Sequence, residues 1–295
     1  MINAILPLNK EISISSQKAV SKVKKRLNCK KVGHAGTLDL EASGLLIVLL
    51  GKATKLSDYI MHQDKEYIAT IELGKKTNTL DYAGEIIKTS NKKLDILEIK
   101  NVLKEFEGDI KQIPPMFSAI KHNGKKLYEL ALEGKTIKRK ERVVRIYQIK
   151  IIDFNYPILK LQINCSKGTY IRTLADDIGE KLGTYGFIKE LIRTKIGQIS
   201  IEQSIDSSNL DFLSDEVIKS KLIDMRDSLY NIEELKINDD CFDKLINGVK
   251  IKINNLNSHQ VYKVICKDEF IGIGIADDRD KNYLKMKKVL YEQTT

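Results

Sequence analysis

A chain of 295 residues, 42% of them hydrophobic and 31% charged, can bury a sizeable core, and its length predicts one large domain with a small one. No apolar run reaches the roughly 18 residues of a membrane helix, and the amino terminus lacks the pattern of a secretory signal, so we expect a cytoplasmic protein without membrane contact. The formal net charge of +10 at pH 7 favours a negatively charged partner over a positively charged one.

The positive charge is concentrated in two segments. Residues 1–31 carry eight Lys or Arg against one acid, and residues 121–150 carry ten against three. Each segment is therefore net +7, so the rest of the chain sums to −4. Charge placed in this way indicates a nucleic-acid partner, because contacts to phosphates supply most non-specific affinity. A basic face that only meets solvent is the alternative.

The first predicted elements are a capped helix and a buried strand. Ser15 or Ser16 can cap a helix that runs to about Leu27, because apolar residues recur at helical spacing up to that point. The apolar run Leu45–Leu50 is bounded by glycines and is typical of a buried strand.

A glycine-rich turn with one carboxylate, Asp39, precedes this strand. Three glycines and several small residues surround the aspartate, so a bulky substrate could approach the backbone closely. An aspartate in such a turn is more often a turn or cap residue than a catalytic one. Turn chemistry alone therefore leaves both interpretations of Asp39 open.

Further along the chain, hydrophobic periodicity predicts more strands and helices. The predicted strands cover residues 65–74, 142–154 and 159–165, and the predicted helices cover 54–61, 94–106, 125–132 and 170–182. Asn123-Gly124 is a strong turn signal, and Gly183 is placed to end the last of these helices. Residues 204–235 are predicted as helix plus linker, and short strands follow at 245–249, 261–265 and 270–276.

The sequence contains no pattern typical of a cofactor or metal site. Its four cysteines lie far apart, which predicts reduced thiols rather than a disulfide framework or a zinc site. The chain has no G-x-G-x-x-G segment, Walker loop, H-E-x-x-H pair or G-x-S-x-G elbow. We therefore expect a protein that works without a cofactor and without a metal ion.

Four stretches of the chain together resemble one family. Residues 33–46, G-H-A-G-T-L-D-L-E-A-S-G-L-L, are similar to the signature of the TruB family of tRNA pseudouridine synthases and depart from it at Leu40, where the family usually has proline. The other three are K-E-Y at 65–67 with L-G-K-K-T-N-T-L-D at 73–81, Q-I-P-P-M-F-S-A-I-K at 112–121, and C-S-K-G-T-Y-I-R-T-L-A-D-D-I-G at 165–179. Weaker matches lie around Lys10, where Glu11 replaces a proline, and at 188–197, where Ile192 replaces an arginine.

The resemblance implies an active site built on three residues. Asp39 is then the carboxylate that acts on the target uridine, Tyr67 stacks on the flipped base, and Arg172 pairs with Asp39. An arginine beside an aspartate favours the ionised carboxylate, which both nucleophilic attack and proton abstraction need.

The resemblance also implies a set of substrate contacts. His34 would fill the space that the base leaves in the RNA, and Leu191 would form an apolar wall of the base pocket. A mobile basic segment, about residues 115–145, would close on the RNA, and we call it the thumb. The further contacts implied near the catalytic loop, before helix 170–182 and in the thumb are Lys10, Gly36, Thr37, Tyr170, Lys121, Lys138, Arg139 and Lys140.

The resemblance implies an α+β fold with a mixed, mainly antiparallel central sheet flanked by helices. Residues 1–235 would form the catalytic domain, and residues 236–295 a small C-terminal β-barrel of the PUA type, with a generic β appendage as the alternative. The implied reaction converts uridine 55 in the T-loop of tRNA to pseudouridine. We expect the enzyme to bind the T-arm as a monomer that needs no protein partner.

Two other functions remain open from the sequence. The guide-RNA-dependent (dyskerin-like) pseudouridine synthases share these motifs, although the modest C-terminal region here has no long lysine-rich tail. A non-catalytic protein that binds or folds tRNA would keep the basic surface but would not need Asp39, Tyr67 and Arg172 together.

Overall fold

The structure, a computed structural model, describes residues 2–254, 256–277 and 282–292. The end of the predicted C-terminal domain, residues 293–295, lies outside these ranges. Within them, no helix is long and apolar enough to cross a membrane. The helices are α1 (Ser16–Arg26), α2 (Ser57–Met61), α3 (Ile96–Glu105), α4 (Leu127–Leu132), α5 (Ile171–Lys181), α6 (Asp215–Ser220) and α7 (Phe242–Ile246).

The strands are likewise numbered in chain order. The first ten are β1 (Ile5–Lys10), β2 (Val32–Ala35), β3 (Ala42–Leu50), β4 (Lys65–Leu73), β5 (Lys75–Thr77), β6 (Ile86–Thr89), β7 (Gly108–Gln112), β8 (Lys121–His122), β9 (Lys125–Lys126) and β10 (Arg142–Asn155). The others are β11 (Ile158–Cys165), β12 (Gly186–Ile196), β13 (Ile199–Ser200), β14 (Ile205–Asp206), β15 (Glu233–Lys236), β16 (Ile251–Lys252), β17 (Val261–Cys266), β18 (Glu269–Ala276) and β19 (Tyr283–Val289).

The central sheet is mixed and mainly antiparallel, as the family resemblance implied. Its strand order is β14-β1-β3-β12-β4-β11-β10-β7, with β2 paired to β3 and β13 to β12. The parallel pairs are β1 with β14 and β3 with β12. Because β3 is central, its alternate residues enter two separate apolar cores: Leu46 and Val48 lie in one, and Leu45 and Ile47 lie in the other. Burial on both faces explains the unbroken apolar run in this strand.

Helix α1 begins as the sequence predicted. The Ser15 Oγ accepts a hydrogen bond from the Lys18 amide at 3.1 Å, which caps the helix. Ala19, Val20 and Val23 are buried against the sheet. The predicted helix over 54–61 is split by the structure, because residues 51–56 form a 3₁₀ turn before α2.

A smaller sheet with its own core completes the described chain. Its order is β15-β17-β18-β19-β16, and it is curled like half of a barrel, consistent with a PUA-like domain. It starts at Glu233, slightly before the predicted boundary, because β15 pairs in parallel with β17. Ile273 and Leu290 pack into the core that contains Ile5 and Ile47, so this sheet rests on the second face of the central sheet.

One predicted strand, residues 245–249, is wrong. Its first half belongs to α7, and the amides of Asn247 and Val249 donate to the carbonyls of Asp243 and Lys244 at 3.3 and 2.8 Å. Gly248 has a φ of +71°, which allows the chain to leave the helix. A short apolar run cannot distinguish a strand from one buried helical turn by its periodicity.

Candidate active site

The carboxylate Asp39 lies on the loop that joins the antiparallel strands β2 and β3. The loop leaves β2 at Gly36, whose φ is +91°, and enters β3 near Gly44, whose φ is +103°. A side chain at position 44 would lie only 2.4 Å from the carbonyl oxygen of Arg193 on the neighbouring strand β12. The glycines are therefore needed to bring the loop against β12.

The backbone of this loop is fixed by two buried side chains. The Arg193 guanidinium donates to the carbonyls of Gly36 at 2.9 Å, Thr37 at 3.4 Å and Leu45 at 2.8 Å. The Ser16 hydroxyl donates to the Leu38 carbonyl at 3.1 Å and accepts from the Leu38 amide at 2.9 Å. Both groups come from outside the loop, so the position of the loop is set by tertiary contacts rather than by its own turn.

Lys10 holds the same loop from the other end, which corrects the sequence-based expectation that it contacts substrate. Its side chain is fully buried, and Nζ donates to the carbonyls of Glu11 and Ile14 at 2.8 Å and of Leu40 at 3.5 Å. Burial lowers the Lys10 pKa to about 8, and the nearby Asp39 carboxylate partly offsets that effect. Lys10 is therefore a structural cation beneath the loop.

Arg172 forms the expected ion pair with Asp39. Its Nε lies 2.9 Å from the Asp39 Oδ2; the arginine side chain is 7% exposed, whereas the aspartate is 45% exposed. Helix α5 begins one residue earlier, and the Tyr170 amide donates to the Gln112 side chain at 3.1 Å, which fixes the start of the helix. The ion pair thus combines a buried, fixed guanidinium with a carboxylate that is accessible to solvent.

Asp81 binds the other side of the same guanidinium. Its Oδ2 lies 3.2 Å from Arg172 Nη1, and its Oδ1 accepts from the Thr79 hydroxyl at 2.5 Å. The remaining Arg172 donors reach the carbonyls of Thr79 at 3.1 Å and Phe117 at 2.8 Å. Arg172 is therefore surrounded by acceptors, and its charge is shared between two carboxylates.

A cleft of about 700 Å³ opens above the Asp39 carboxylate. Its lining comes from the loop that carries Asp39, from the start of α1, and from the base and helix of the thumb. The side chains that line it include Gln17, His34, Thr37, Asp39, Leu40, Asp81, Phe117, Ser118, Lys126, Tyr128 and Arg172. A flipped nucleotide fits a cleft of this size, which combines apolar walls with a few polar groups.

His34 lines this cleft, whereas Tyr67 and Leu191 lie deeper. The Nδ1 of His34 is buried and has no hydrogen-bond partner within the described ranges. Burial, followed by the Arg193 charge, lowers the His34 pKa. Tyr67 pairs across strands with Arg193 and is only 9% exposed, and burial raises its pKa. Leu191 is buried beside Ala69. Tyr67 and Leu191 thus belong to the apolar core and not to the open surface of the cleft.

The thumb carries a short hairpin and one helix. Strands β8 and β9 pair around Asn123-Gly124, as predicted, and α4 follows. Lys121, Lys138 and Lys140 are exposed. Tyr170 is half-buried at the base of the thumb, and burial raises its pKa.

Arg139 departs from the expected phosphate-facing arrangement. It is partly buried, donates to the Pro114 carbonyl at 3.2 Å and lines a second cleft beside α5.

Sequence reasoning missed Arg193, Asp81 and Tyr128 as residues of the site. Arg193 lies on a strand, where alternation predicts only its face and gives no sign that its guanidinium binds a distant loop. Asp81 ends the stretch 73–81 that resembles the family, so the resemblance contained a signal for it. Tyr128 follows a turn signal, which indicates local shape only.

Comparison with known proteins tests the family. The sequence profile of the TruB family pseudouridylate synthase N-terminal domain matches residues 24–171, and that of the tRNA pseudouridylate synthase B C-terminal domain matches residues 172–235. The chain belongs to the TruB family. The two TruB matches meet at Arg172, and together they include Asp39, Asp81, Arg172 and every strand of the central sheet except β1.

Curated members of the TruB family resemble the chain along most of its length. A protein named tRNA pseudouridine synthase B from Clostridium tetani (strain Massachusetts / E88) is 40% identical over 98% of this chain and 100% of the relative. A protein of the same name from Francisella philomiragia subsp. philomiragia is 48% identical over 73% of this chain and 72% of the relative.

Solved structures share the TruB fold at lower identity. A Cbf5-Nop10-Gar1 complex contains a chain that is 23% identical with a TM-score of 0.77, covering 98% of this chain and 85% of that one. A chain of an H/ACA RNP bound to a substrate RNA containing 2′-deoxyuridine is 22% identical with a TM-score of 0.75, covering 99% and 86%. These similarities confirm the predicted α+β pseudouridine synthase fold.

Proposed function

We propose that the protein isomerises uridine 55 in the T-loop of tRNA to pseudouridine, with Asp39 as the catalytic carboxylate. The observation that carries the proposal is the accessible Asp39 carboxylate, 2.9 Å from the buried Arg172 guanidinium, at the floor of a cleft of about 700 Å³. Membership of the TruB family and relatives named tRNA pseudouridine synthase B support tRNA as the substrate.

The reaction exchanges one bond for another within the substrate. The bond between ribose C1′ and uracil N1 breaks, the base rotates, and C5 bonds to C1′, while C5 loses a proton and N1 gains one. Asp39 either attacks C1′ or removes a proton from C2′. Both routes need the ionised carboxylate, and the Arg172 guanidinium lies beside it as the countercharge.

The target base must leave its stack before it reaches Asp39. Flipping a base out of a folded loop costs a few kcal/mol. His34, on the wall of the cleft, is placed to occupy the space that the base leaves in the RNA. Tyr67 and Leu191, which are buried outside the open cleft, contact the base only after the loop that carries Asp39 shifts. The exposed thumb lysines hold the neighbouring phosphates.

Each part of the chain has a role in this proposal. Residues 1–235 supply the catalytic domain, and the C-terminal sheet, within residues 236–295 and preceded by β15, supplies a second RNA-binding surface. All the groups proposed to act on uridine belong to one chain, so a monomer without a guide RNA or protein partner suffices.

The test is a pseudouridine map, at single-nucleotide resolution, of an unmodified tRNA transcript incubated with the purified chain alone. We expect pseudouridine at position 55 and nowhere else in the T-arm. A transcript in which uridine 55 is replaced by cytidine is the matched control and should remain unmodified. Product at another position would refute the site, and product that requires added guide RNA would support the guide-dependent alternative. Binding without any product would support a non-catalytic tRNA-binding protein.

A further inference from the structure

A second cleft, of about 540 Å³, lies between the base of the thumb and helix α5. We call it the rear cleft. Its lining includes Leu80 and Thr173, the sequence neighbours of Asp81 and Arg172, so it adjoins the ion-pair network of the active site. The polar side chains that matter for its chemistry are Arg139, Thr173, Asp176 and Asp177.

Several buried polar atoms in the rear cleft have no hydrogen-bond partner among the residues that the structure describes. Thr173 and Asp176 are both more than nine-tenths buried, and Thr173 Oγ1 and Asp176 Oδ1 are unpaired. On the thumb side, the Nε of Arg139 is buried and equally unpaired. Donors and acceptors that are buried without partners are costly, and here a donor and two acceptors line one cavity.

Two opposite charges in the rear cleft also have no ion-pair partner among the described residues. Its other charged groups are paired, as Lys181–Glu105 at 2.8 Å, Lys111–Glu141 at 3.7 Å and Lys76–Asp176 at 2.7 Å. Within the described ranges, Asp177 and Arg139 line the rear cleft without an ion pair, and the one hydrogen bond of the Arg139 side chain goes to the Pro114 carbonyl at 3.2 Å. One free carboxylate and one free guanidinium therefore share the cavity.

We propose that Asp177 is a positioning residue that receives Arg139 when the thumb closes on its substrate. The guanidinium would give up the Pro114 carbonyl and bind the Asp177 carboxylate, with Asp176 Oδ1 and Thr173 Oγ1 as further acceptors. A guanidinium presents five N–H donors in a fixed fork, which matches a carboxylate flanked by additional oxygens. One movement of one side chain thus pairs the unpaired donor, both unpaired acceptors and the free charge.

The proposal links thumb closure to the catalytic pair. Asp177 and Arg172 lie on the same helix, α5, so a thumb docked on Asp177 is held against the element that presents Arg172 to Asp39. In the part of the chain that the structure describes, residues 119–138 form hydrogen bonds and ion pairs with one another and with Ser118, but not with the central sheet. The thumb can therefore move as a unit about its base.

This proposal rests on the proposed function, because closure matters only if the thumb covers RNA. It also assigns Arg139 a partner within the protein in place of the phosphate implied by the sequence. The two assignments differ in a measurable way. A phosphate contact acts independently of Asp177 and adds to the salt dependence of binding, whereas a contact with Asp177 does neither.

The test is a double-mutant cycle on pseudouridine formation with Asp177→Asn, Arg139→Gln and the double variant. We expect each single variant to lower kcat/KM about tenfold, mainly through KM. The kcat/KM of the double variant should be no lower than that of the less active single variant, because the pair is already broken. Arg139→Lys, which keeps the charge but loses the fork, should fall in between. Glu105→Gln is the matched control: it lines the same cleft but pairs with Lys181, so its effect should multiply with that of Arg139→Gln.

Opposite outcomes would overturn the proposal. Arg139 binds a phosphate if two results are found together. The effects of Asp177→Asn and Arg139→Gln on kcat/KM multiply, and Arg139→Gln alone lowers the slope of log K against log salt for tRNA binding by about 0.9, the contribution of one phosphate contact. Full activity of Asp177→Asn would also refute the positioning role.

An RNA-free measurement separates failure of this proposal from failure of the proposed function. In the full chain with Arg139→Lys, a carbodiimide should couple the amine at position 139 to the Asp177 carboxylate as an amide, identified by mass spectrometry of the linked peptides. Lys138, one residue away on the thumb, should not couple to Asp177, and Arg139→Lys combined with Asp177→Asn should give no such product. Absence of the amide between positions 139 and 177 refutes the contact whether or not the protein modifies tRNA.

Discussion

Arg172 and Asp39 form an asymmetric ion pair in which the guanidinium is buried and the carboxylate is open to the cleft. Four acceptors fix the arginine before any substrate arrives: Asp39, Asp81 and the carbonyls of Thr79 and Phe117. The carboxylate therefore has a charged and oriented partner at no cost in reorganisation during the reaction. Under the proposed function, its second oxygen is the one available to the ribose.

Asp39→Asn tests the carboxylate itself. The variant keeps the size of the side chain but removes the charge, so we expect pseudouridine formation to fall by about 10³-fold or more, while tRNA affinity changes only a few-fold. Single-turnover pseudouridine assays and filter binding measure the two quantities. Continued product formation at the wild-type rate would show that another group performs the chemistry.

Arg172→Lys tests the need for a forked cation. A lysine has a single ammonium, which cannot reach Asp39, Asp81 and two carbonyls at once, so we expect kcat to drop about 10²-fold. Arg226→Lys is the matched control, since Arg226 binds Glu234 through two nitrogens on the surface. The control should retain wild-type kcat. Equal kcat values for the two variants would contradict the assigned role of Arg172.

Arg193→Lys tests whether tertiary contacts fix the catalytic loop. The ammonium cannot bind both Gly36 and Leu45, so buried carbonyls lose a donor, and we expect a loss of about 2–4 kcal/mol in the free energy of unfolding. Activity should fall at temperatures where the variant is still fully folded, because the loop loses its position. Lys150→Met, at an exposed lysine of β10 that forms no ion pair among the described residues, should affect neither quantity. Urea unfolding with parallel assays measures the two quantities.

Charge reversal in the thumb tests its contact with phosphates. The double variant Lys138→Glu and Lys140→Glu should weaken tRNA binding and lower the slope of log K against log salt by about 1–2, since each lost phosphate contact contributes about 0.9. The matched control is Lys100→Glu with Lys104→Glu on α3, which also reverses two exposed lysines but away from the catalytic cleft. An unchanged slope in the thumb variant would place the RNA elsewhere.

We expect Asp177→Asn to raise the stability of the folded protein, although it lowers the activity. Burial, followed by the charges of Asp176 and Glu180, raises the Asp177 pKa to about 6. The folded protein thus binds this proton more tightly than the unfolded chain, so the free energy of unfolding decreases as pH rises from about 4 to about 6. With allowance for partial exposure, the variant should be more stable by on the order of 1 kcal/mol at pH 7.5 and unchanged near pH 4. Equal unfolding curves at both pH values would refute the shift.

Much of the fold could be predicted because its signals are local. The cap at Ser15, the alternation in β4 and the turn at Asn123-Gly124 each depend on a few neighbouring residues, and the structure confirms them. Residues 245–249 failed for the complementary reason: one buried turn of helix and one short strand place apolar residues in similar numbers.

The site was predictable only where the family resemblance supplied it. Composition and turn chemistry left Asp39 undecided, and the resemblance supplied its pairing with Arg172. Lys10 was placed in the substrate contacts because it matches a lysine in the opening motif of the family. Its burial depends on the Leu40 and Ile14 carbonyls around it, which sequence spacing does not reveal.

The hydrogen bonds to the Leu40 carbonyl have a consequence for how the sequence of this enzyme can change. That oxygen is held by the Ser13 amide at 2.9 Å and by Lys10, so the turn after Asp39 keeps its shape without the ring of a proline. The leucine side chain itself is half-exposed at the mouth of the cleft. A substitution at position 40, natural or engineered, can consequently change which RNA enters the cleft without moving Asp39 or Arg172.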